Sequence, residues 1–189
     1  KDLSRSAGVA VNITSASTAS GVGPATLGHV PVLENGKPLQ KLEAFERAMG
    51  TQPAGLDVAL VKFCYVDFRP ETDAKALFAR YRATLADLQN KHPGTTFVHV
   101  TVPLTVVKGG PKEFLRGLIG RPPWETLANF KREEYNALLR QAYRGREPVF
   151  DLARVESTAP DGSAVTIAWQ GRSAPALAPA YTEDGGHLN

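Results

Sequence analysis

The sequence predicts an α/β domain whose sheet is mostly parallel and is covered by helices. The first observation is order, because segments of strand composition alternate with segments of helical periodicity along the chain. The second is the apolar run at residues 56–65, since a nearly continuous hydrophobic strand is typical of a parallel sheet buried on both faces. The third is size. A chain of 189 residues, 42% of them hydrophobic, fits a single domain, residues 1–189, with a sizeable core.

The first third of the chain supplies a strand, a polar loop and a helix. Residues 8–13 are rich in β-branched side chains and predict a short strand. Residues 15–23 are small and polar, so they predict a surface loop. Pro38 suits the first position of a helix, and Gly50 can end it. The apolar side chains of this helix recur at helical spacing and are Leu39, Leu42, Phe45 and Met49.

A second strand and helix follow. The apolar run at 56–65 predicts the strand, and the Pro-Glu-Thr-Asp sequence at 70–73 predicts the start of the helix. The His-Pro-Gly sequence at 92–94 ends it. One apolar face runs along this helix and consists of Leu77, Phe78, Tyr81, Leu85 and Leu88.

The second half of the chain repeats this order. Residues 95–102 and 148–152 predict strands, and Asn129 is predicted to cap the helix between them. An Asp-Gly pair at 161–162 predicts a turn, and the alternation at 164–169 predicts an edge strand or one arm of a hairpin. The apolar face of the intervening helix consists of Tyr135, Leu138, Leu139 and Ala142.

Charge and hydropathy argue against several classes of partner. The net charge of +3 arises from 22 basic and 19 acidic residues that are scattered along the chain. Because no basic stripe with interleaved aromatic residues is present, nucleic-acid binding is not expected. The charged cluster at 131–134 predicts a solvated helix face. No stretch approaches the length of a membrane span, and both a cytoplasmic and an exported location fit this composition.

Cysteine and histidine placement predicts no metal site and no other cofactor. Cys64 is the only cysteine, which excludes an internal disulfide and a cysteine-based zinc site, and its apolar neighbours predict a small buried side chain. His29 and His92 fall in predicted loops without metal-ligand spacing. His99 lies in mid-strand between two valines, which favours a hydrogen-bonded structural histidine over a ligand.

The end of the chain places Asp184 three residues before His187, in a stretch too rich in glycine to be a helix. A carboxylate that reaches the Nδ1–H of a histidine sets its tautomer and stabilises the imidazolium that forms when the ring takes a proton. Two members of a hydrolase triad can therefore come from one turn. The alternative is an ordinary surface loop with an exposed histidine, since this spacing also arises by chance.

The sequence Asp-Gly-Gly-His-Leu-Asn at 184–189 resembles the last sequence block of the SGNH (GDSL-type) hydrolases, where an Asp-x-x-His pair lies on a loop before the closing helix. Residues 62–67 and 97–103 resemble the third and fourth strands of that family. The resemblance implies a three-layer α/β/α sandwich with a mostly parallel, flavodoxin-like sheet. It also implies a serine nucleophile, with His187 as general base and then acid, and with Asp184 orienting His187. The implied substrate is a short acyl ester, such as an acetyl ester, including one carried by a glycan.

The chain departs from the family pattern at the nucleophile and at the oxyanion donor. No Gly-Asp-Ser-like block is present, so the serine and the first strand are expected upstream of Lys1, and the last helix is expected after Asn189. The third block lacks its asparagine. Asn35 is a candidate to replace that amide, with a plain turn as the alternative. Tyr65 and Asp67 follow a predicted strand and are candidate cleft residues, with capping of the next loop as the alternative for Asp67.

A non-catalytic domain on the same fold, binding a glycan or a protein partner, is the alternative from another functional class. The missing asparagine of the third block favours it. Trp124 and Trp169 are candidates either for a sugar-binding cleft or for ordinary packing.

Overall fold

Three long helices and a set of short, mostly parallel strands form the part of the chain that the structure, a computed structural model, describes: residues 12–15, 26–30, 34–51, 56–107 and 122–189. The helices are α1 Pro38–Thr51, α2 Ala74–Lys91, α3 Trp124–Tyr143 and α4 Leu152–Glu156. The strands are β1 Asn12–Ser15, β2 Thr26–His29, β3 Val58–Ala59, β4 Thr96–Phe97, β5 His99–Val100, β6 Val149–Phe150, β7 Thr166–Trp169 and β8 Arg172–Pro175. Two 3₁₀ turns are Tyr65–Asp67 and Pro179–Tyr181. The predicted mixed α/β character is confirmed.

The stretch 96–101, which contains β4 and β5, runs between β3 and β6 and is parallel to both. Its backbone N–H groups alternate in direction: Thr96 and Val98 donate to the β3 segment, whereas His99 and Thr101 donate to the β6 segment. This alternation is the hydrogen-bonding pattern of an inner parallel strand. The strands predicted in these three places are therefore confirmed in position, although regular pairing covers only their central residues.

Two further strand pairs flank this region in the sequence. β1 pairs in parallel with β2, with Asn12 opposite Thr26. β7 and β8 form an antiparallel hairpin whose two turn residues, Gln170 and Gly171, have φ of 48° and 72°. Two successive positive φ angles are typical of the tight turns that match strand twist. The hairpin arm predicted at 164–169 is confirmed.

The helices α1, α2 and α3 bury the apolar faces that their sequence spacing predicts. Tyr135 of α3 is central to this core, because its ring meets Phe63 edge-on at 5.7 Å and Phe68 at 5.2 Å between centroids. Each such pair contributes about 0.5–1.5 kcal/mol beyond the burial of its area. Leu39 is the exception, since it remains exposed. The helical residues of this core include Leu42, Phe45, Met49, Leu77, Phe78, Tyr81, Leu85, Leu88 and Leu139.

The sheet has one well-buried face in the described part of the chain. Ala59 and Val61 point into the helical core, whereas Val58 and Leu60, which alternation places on the opposite face, remain about half exposed. The structure therefore shows one buried face at residues 56–65, not the two that the apolar run predicts. The reason is that α1, α2 and α3 all pack on the same side.

Helix α2 begins as predicted, whereas α3 begins earlier. The Oδ1 of Asp73 accepts a hydrogen bond from the N–H of Ala76 at 3.0 Å and so caps α2. Helix α3 begins at Trp124, directly after Pro123. The prediction that Asn129 caps this helix is therefore wrong, because Asn129 lies inside the helix and is fully buried.

The prediction of a solvated face at residues 131–134 is wrong at Arg132, which is fully buried. Arg132 lies one helical turn before Tyr135 and two turns before Leu139, so the helix directs it into the core. The other three residues of the cluster remain partly exposed.

Some predictions lie outside the described residues, namely most of the strand at 8–13 and the loop at 16–23. Among the helices that the structure describes, none is long and apolar enough to cross a membrane.

Candidate active site

A short turn near the end of the chain brings Asp184 and His187 together. The Oδ2 of Asp184 lies 2.5 Å from the Nδ1 of His187. Its Oδ1 accepts hydrogen bonds from the backbone N–H of Gly186 at 2.9 Å and of His187 at 2.8 Å. The side chains of Asp184 and His187 are 56% and 70% exposed. The contact forms as the spacing predicts, and the catalytic role of the pair stays a prediction.

The two glycines between the pair allow this geometry. Gly185 has a φ of +90°, in the left-handed region that glycine adopts without strain. A Cβ at Gly186 would lie 2.6 Å from the Cζ of Tyr65, which is too close for any real side chain. The Gly-Gly sequence that argues against a helix is therefore also what lets the turn lie against Tyr65.

Two contacts hold the turn on the sheet. The N–H of Val106 donates to the carbonyl of Gly185 at 2.9 Å. The ring of Tyr65 meets the ring of His187 edge-on, with centroids 5.4 Å apart and planes at 72°. Tyr65 follows the β3 segment, and Val106 follows the strand at 96–101. The pair therefore lies beyond the carboxyl ends of two neighbouring parallel strands, where α/β folds bind their ligands.

A cleft of about 830 Å³ opens beside this turn. Trp124, at the first position of α3, is one of its walls and is 46% exposed. The volume is in the range of small-molecule sites. The described residues that line the cleft are Tyr65, Pro70, Thr105, Val106, Pro122, Pro123, Trp124, Glu125, Leu127, Asp184, Gly185 and Gly186.

The turn presents a carboxylate and a neutral phenol beside the imidazole. The backbone N–H of His187, then its imidazole, then the N–H of Gly186 hold the pKa of Asp184 well below its usual range. Burial raises the pKa of Tyr65, and the nearby Cys64 and Asp184 raise it further. The Tyr65 hydroxyl therefore stays protonated at neutral pH.

The contact with Asp184 gives the two ring nitrogens of His187 different roles, because only Nδ1 contacts the carboxylate. A carboxylate accepts a hydrogen bond, so Nδ1 carries the proton, and in the neutral form of the ring Nε2 is the nitrogen with the free lone pair. Within the described ranges, no side chain hydrogen-bonds to Nε2 and no serine hydroxyl contacts the ring. The arrangement can therefore take a proton from a group that approaches Nε2.

Asp67 belongs to a separate cluster in which it is buried with Lys41, and the exposed Asn35 lies at the edge of that cluster. The Oδ2 of Asp67 accepts hydrogen bonds from the Nζ of Lys41 and the N–H of Cys64, both at 2.7 Å, and its Oδ1 accepts one from Gly36 at 2.7 Å. The Oδ1 of Asn35 accepts a hydrogen bond from the same Lys41 ammonium at 2.9 Å. Neither Asn35 nor Asp67 is among the described residues that line the cleft. Of the candidates, the structure brings only Tyr65 to the terminal pair.

Three buried residues beside the cleft are absent from the sequence-based site candidates, namely Thr105, Asn129 and Arg132. Arg132 donates from Nε to the carbonyl of Tyr65 at 3.1 Å, and from Nη1 to the Oγ1 of Thr105 at 2.7 Å and the Oδ1 of Asn129 at 2.5 Å. Burial lowers the pKa of Arg132 to about 10. A signal was present in the sequence, because polar residues at 129, 132 and 136 interrupt the apolar face of α3 at core spacing.

The remaining candidates lie away from the cleft. His99 is fully buried, with Nδ1 2.8 Å from the Tyr81 hydroxyl and Nε2 2.9 Å from a carboxylate oxygen of Glu147. Burial lowers the pKa of His99, so the ring is neutral, as a structural histidine would be. Trp169 lies in β7 and is partly buried. Within the described ranges, no group of three or more His, Cys, Asp or Glu side chains could hold a metal ion.

Comparisons with known proteins leave the family open. A scan against protein-family models finds no match, and a search of curated proteins finds no significant one. Among solved structures, the chain is similar to "The structure of a putative platelet activating factor from Streptococcus pneumonia", with 15% sequence identity and a TM-score of 0.49. The match covers 95% of this chain and 74% of that one. A likeness at this level carries no argument about function.

Proposed function

We propose that this chain belongs to a serine hydrolase of the SGNH type that cleaves short acyl esters, with acetyl esters of carbohydrates as the first substrates to test. The observation that carries the proposal is the contact of 2.5 Å between Asp184 and His187, in an exposed turn beside a cleft. The pair is exposed and leaves Nε2 of His187 open to a reacting group.

In the proposed reaction, Nε2 of His187 takes the proton of a serine hydroxyl as the serine oxygen attacks the acyl carbon. The resulting imidazolium then gives that proton to the leaving alcohol, and an acyl-serine remains. A water molecule attacks the acyl-serine with His187 again as base, which releases the carboxylic acid and restores the serine. Asp184 remains a carboxylate throughout and stabilises the imidazolium in both steps.

The nucleophile must come from outside the described residues, because these bring no serine hydroxyl to His187. The oxyanion donors are likewise to be identified, since Asn35 lies in the Lys41–Asp67 cluster.

The three-layer α/β/α sandwich is part of the same proposal. The parallel pairing of β3, β4, β5 and β6 and the single helical layer on the Ala59 face support it. The half-exposed Val58 and Leu60 on the other face are what a second helical layer would cover.

The walls of the cleft support the proposed substrate class. Trp124 offers an exposed aromatic ring, and a sugar ring can stack on such a surface. The neighbouring Pro122 and Pro123 extend the wall. A short acyl group on a sugar is therefore the first substrate to test.

A serine-reactive phosphonate tests the proposal on the full-length natural protein. We expect one serine to be labelled and p-nitrophenyl acetate to be hydrolysed, and His187→Ala should lower kcat/KM by at least about 10⁴-fold. The control is His92→Ala, at the end of α2 and away from the cleft, which should hydrolyse the ester at the wild-type rate. An unlabelled full-length protein, or a His187→Ala variant with full activity, would sink the esterase hypothesis.

The alternative is a glycan-binding domain without catalysis. The half-exposed Trp124 in a cleft where the described residues supply no nucleophile favours it. In that case oligosaccharides should change the tryptophan fluorescence, Trp124→Ala should abolish the change, and His187→Ala should leave it intact.

A further inference from the structure

Arg132 stands out as a buried cation that makes no direct ion pair with a described carboxylate, although the buried Glu156 acts on it at longer range. Arg132 is fully buried, and within the described residues no carboxylate lies within ion-pair distance of its guanidinium. Its Nη2 has no hydrogen-bond partner there. Burying a charge without a counterion in direct contact is unfavourable, so the burial of the Arg132 guanidinium requires an explanation.

Among the described residues, the hydrogen bonds of Arg132 go to neutral oxygens, one of them on Asn129 of its own helix and the other two on segments that line the cleft. Its Nε binds the carbonyl of Tyr65, and its Nη1 binds the Oγ1 of Thr105. The guanidinium carbon also lies 5.7 Å from the centroid of the Tyr65 ring. Arg132 thus joins α3 to the 3₁₀ turn after β3 and to the end of the strand at 96–101.

Each of these two segments contacts the turn that carries His187. The ring of Tyr65 packs against the imidazole, and Val106, the residue after Thr105, donates its N–H to the carbonyl of Gly185. The fixed fork of a guanidinium can hold two oxygens at a set separation, which a flexible ammonium does not.

We propose that Arg132 is the positioning residue of the Asp184–His187 pair. It fixes the separation of Tyr65 and Thr105, and these fix the imidazole in turn. This inference rests on the proposed function for its effect on catalysis, whereas its effect on the turn is independent of that function.

A neighbour on the same helix supplies a matched control. Asn136 is fully buried and holds Val102 by two hydrogen bonds, from the N–H of Val102 to Oδ1 at 2.7 Å and from Nδ2 to the carbonyl of Val102 at 3.0 Å. It joins α3 to the same strand, but Val102 is not among the described residues that line the cleft.

Hydrogen exchange at the amide of Val106 tests the inference without any assay of activity. In Arg132→Met this amide should exchange at least about tenfold faster, since a hydrogen bond to a charged group contributes that much or more. Arg132→Lys should recover little of the protection, because Lys lacks the fork. In Asn136→Ala, the exchange rate of the Val106 amide should be unchanged after correction for global unfolding. The ring signals of His187 should keep their wild-type shifts. Thr105→Val, which removes one acceptor and keeps the shape, serves if Arg132→Met does not fold.

Steady-state kinetics of the same variants distinguish a positioning role of Arg132 from a general loss of stability. In Arg132→Lys, kcat for ester hydrolysis should fall about tenfold or more with KM little changed, because orientation acts on the transition state. Asn136→Ala should keep the wild-type kcat while it remains folded. Equal loosening of Val106 in Asn136→Ala and Arg132→Met, or unchanged exchange in Arg132→Met, overturns the inference. If the wild-type protein has no esterase activity, the exchange data still decide it.

Discussion

Two aspartates in turns, Asp67 and Asp184, have similar local chemistry and opposite surroundings. Each accepts backbone N–H groups and pairs with a basic side chain, Lys41 at 2.7 Å for Asp67 and His187 at 2.5 Å for Asp184. The side chains of Asp67 and Lys41 are 0% and 4% exposed, whereas those of the terminal pair are more than half exposed. The partners of Asp67 at Gly36 and Lys41 lie 31 and 26 residues away in sequence.

The difference teaches that a buried carboxylate held mainly by partners distant in sequence stabilises the fold, whereas an exposed one held by neighbours in its own turn can serve chemistry. Removing Asp67 would leave a buried ammonium without its anion. Removing the charge of Asp184 would leave an exposed turn in water. The two variants should therefore fail in different assays.

The largest expected effect is the loss of ester hydrolysis in Asp184→Asn. The amide can still accept N–H groups but no longer stabilises an imidazolium, so kcat should fall by about 10⁴-fold. The free energy of unfolding should stay close to the wild-type value, because the turn is exposed. Asp161→Asn is the control, because Asp161 is also exposed and accepts the N–H of Ser163 at 2.9 Å. Steady-state kinetics that show equal activity in both variants would contradict the role of Asp184.

The next effect is a loss of stability in Asp67→Ala. The uncompensated Lys41 should lower the free energy of unfolding by about 3–5 kcal/mol, measured by urea denaturation. The control is Asp87→Ala, which breaks the exposed Lys91–Asp87 pair of 2.6 Å. This variant should change the free energy of unfolding by about 0.5 kcal/mol or less. If the two losses are alike, the buried pair has no special role in stability.

A smaller effect is expected for Gly186→Ala. The added Cβ would collide with the Tyr65 ring and displace the turn. If the ring does not move, the free energy of unfolding should fall by about 1–3 kcal/mol. Contacts between the Tyr65 and His187 rings, measured by nuclear Overhauser effects, should weaken. Gly94→Ala, where a Cβ meets nothing within 4 Å, should match the wild type. Retained ring contacts in Gly186→Ala would show that the close approach is not required.

The smallest effect is the pH response of the turn. Because the folded pKa of Asp184 is depressed, its contribution is fully present above the ordinary Asp pKa of about 3.9 and is lost only as pH falls through the lower folded value. The carboxyl carbon shift of Asp184 and the amide shift of His187 should therefore titrate together, below the ordinary range. A titration of Asp184 centred near pH 4 would contradict the hydrogen bonds assigned to it.

Local patterns predicted the features that depend on local interactions. The buried faces of α1 and α2, the cap at Asp73 and the Asp184–His187 contact all follow from spacings of a few residues. The strand positions around 96–101 also follow, because residues 95–102 are rich in the β-branched side chains that favour strands.

The burial of polar residues did not follow from local patterns. Asp67 and Asp184 both follow apolar or loop segments, and only the approach of Gly36 and Lys41 buries the first. Arg132 belongs to a run of charges that predicts a solvated face, yet helical phase places it behind the cleft. Asn129 is of a residue type that often caps helices. Its side chain instead binds the backbone of Thr105, where Oδ1 accepts the N–H at 3.2 Å and Nδ2 donates to the carbonyl at 2.8 Å.

The hydrogen bonds of Asp184 all form within residues 182–187. Such a contiguous unit could be grafted onto another scaffold as a cassette of six residues. The recipient would need a free backbone N–H in the place of Val106 and a flat aromatic ring in the place of Tyr65. Acid–base chemistry of this kind would then be a portable unit, and the host would contribute the nucleophile and the cleft in addition to these two contacts.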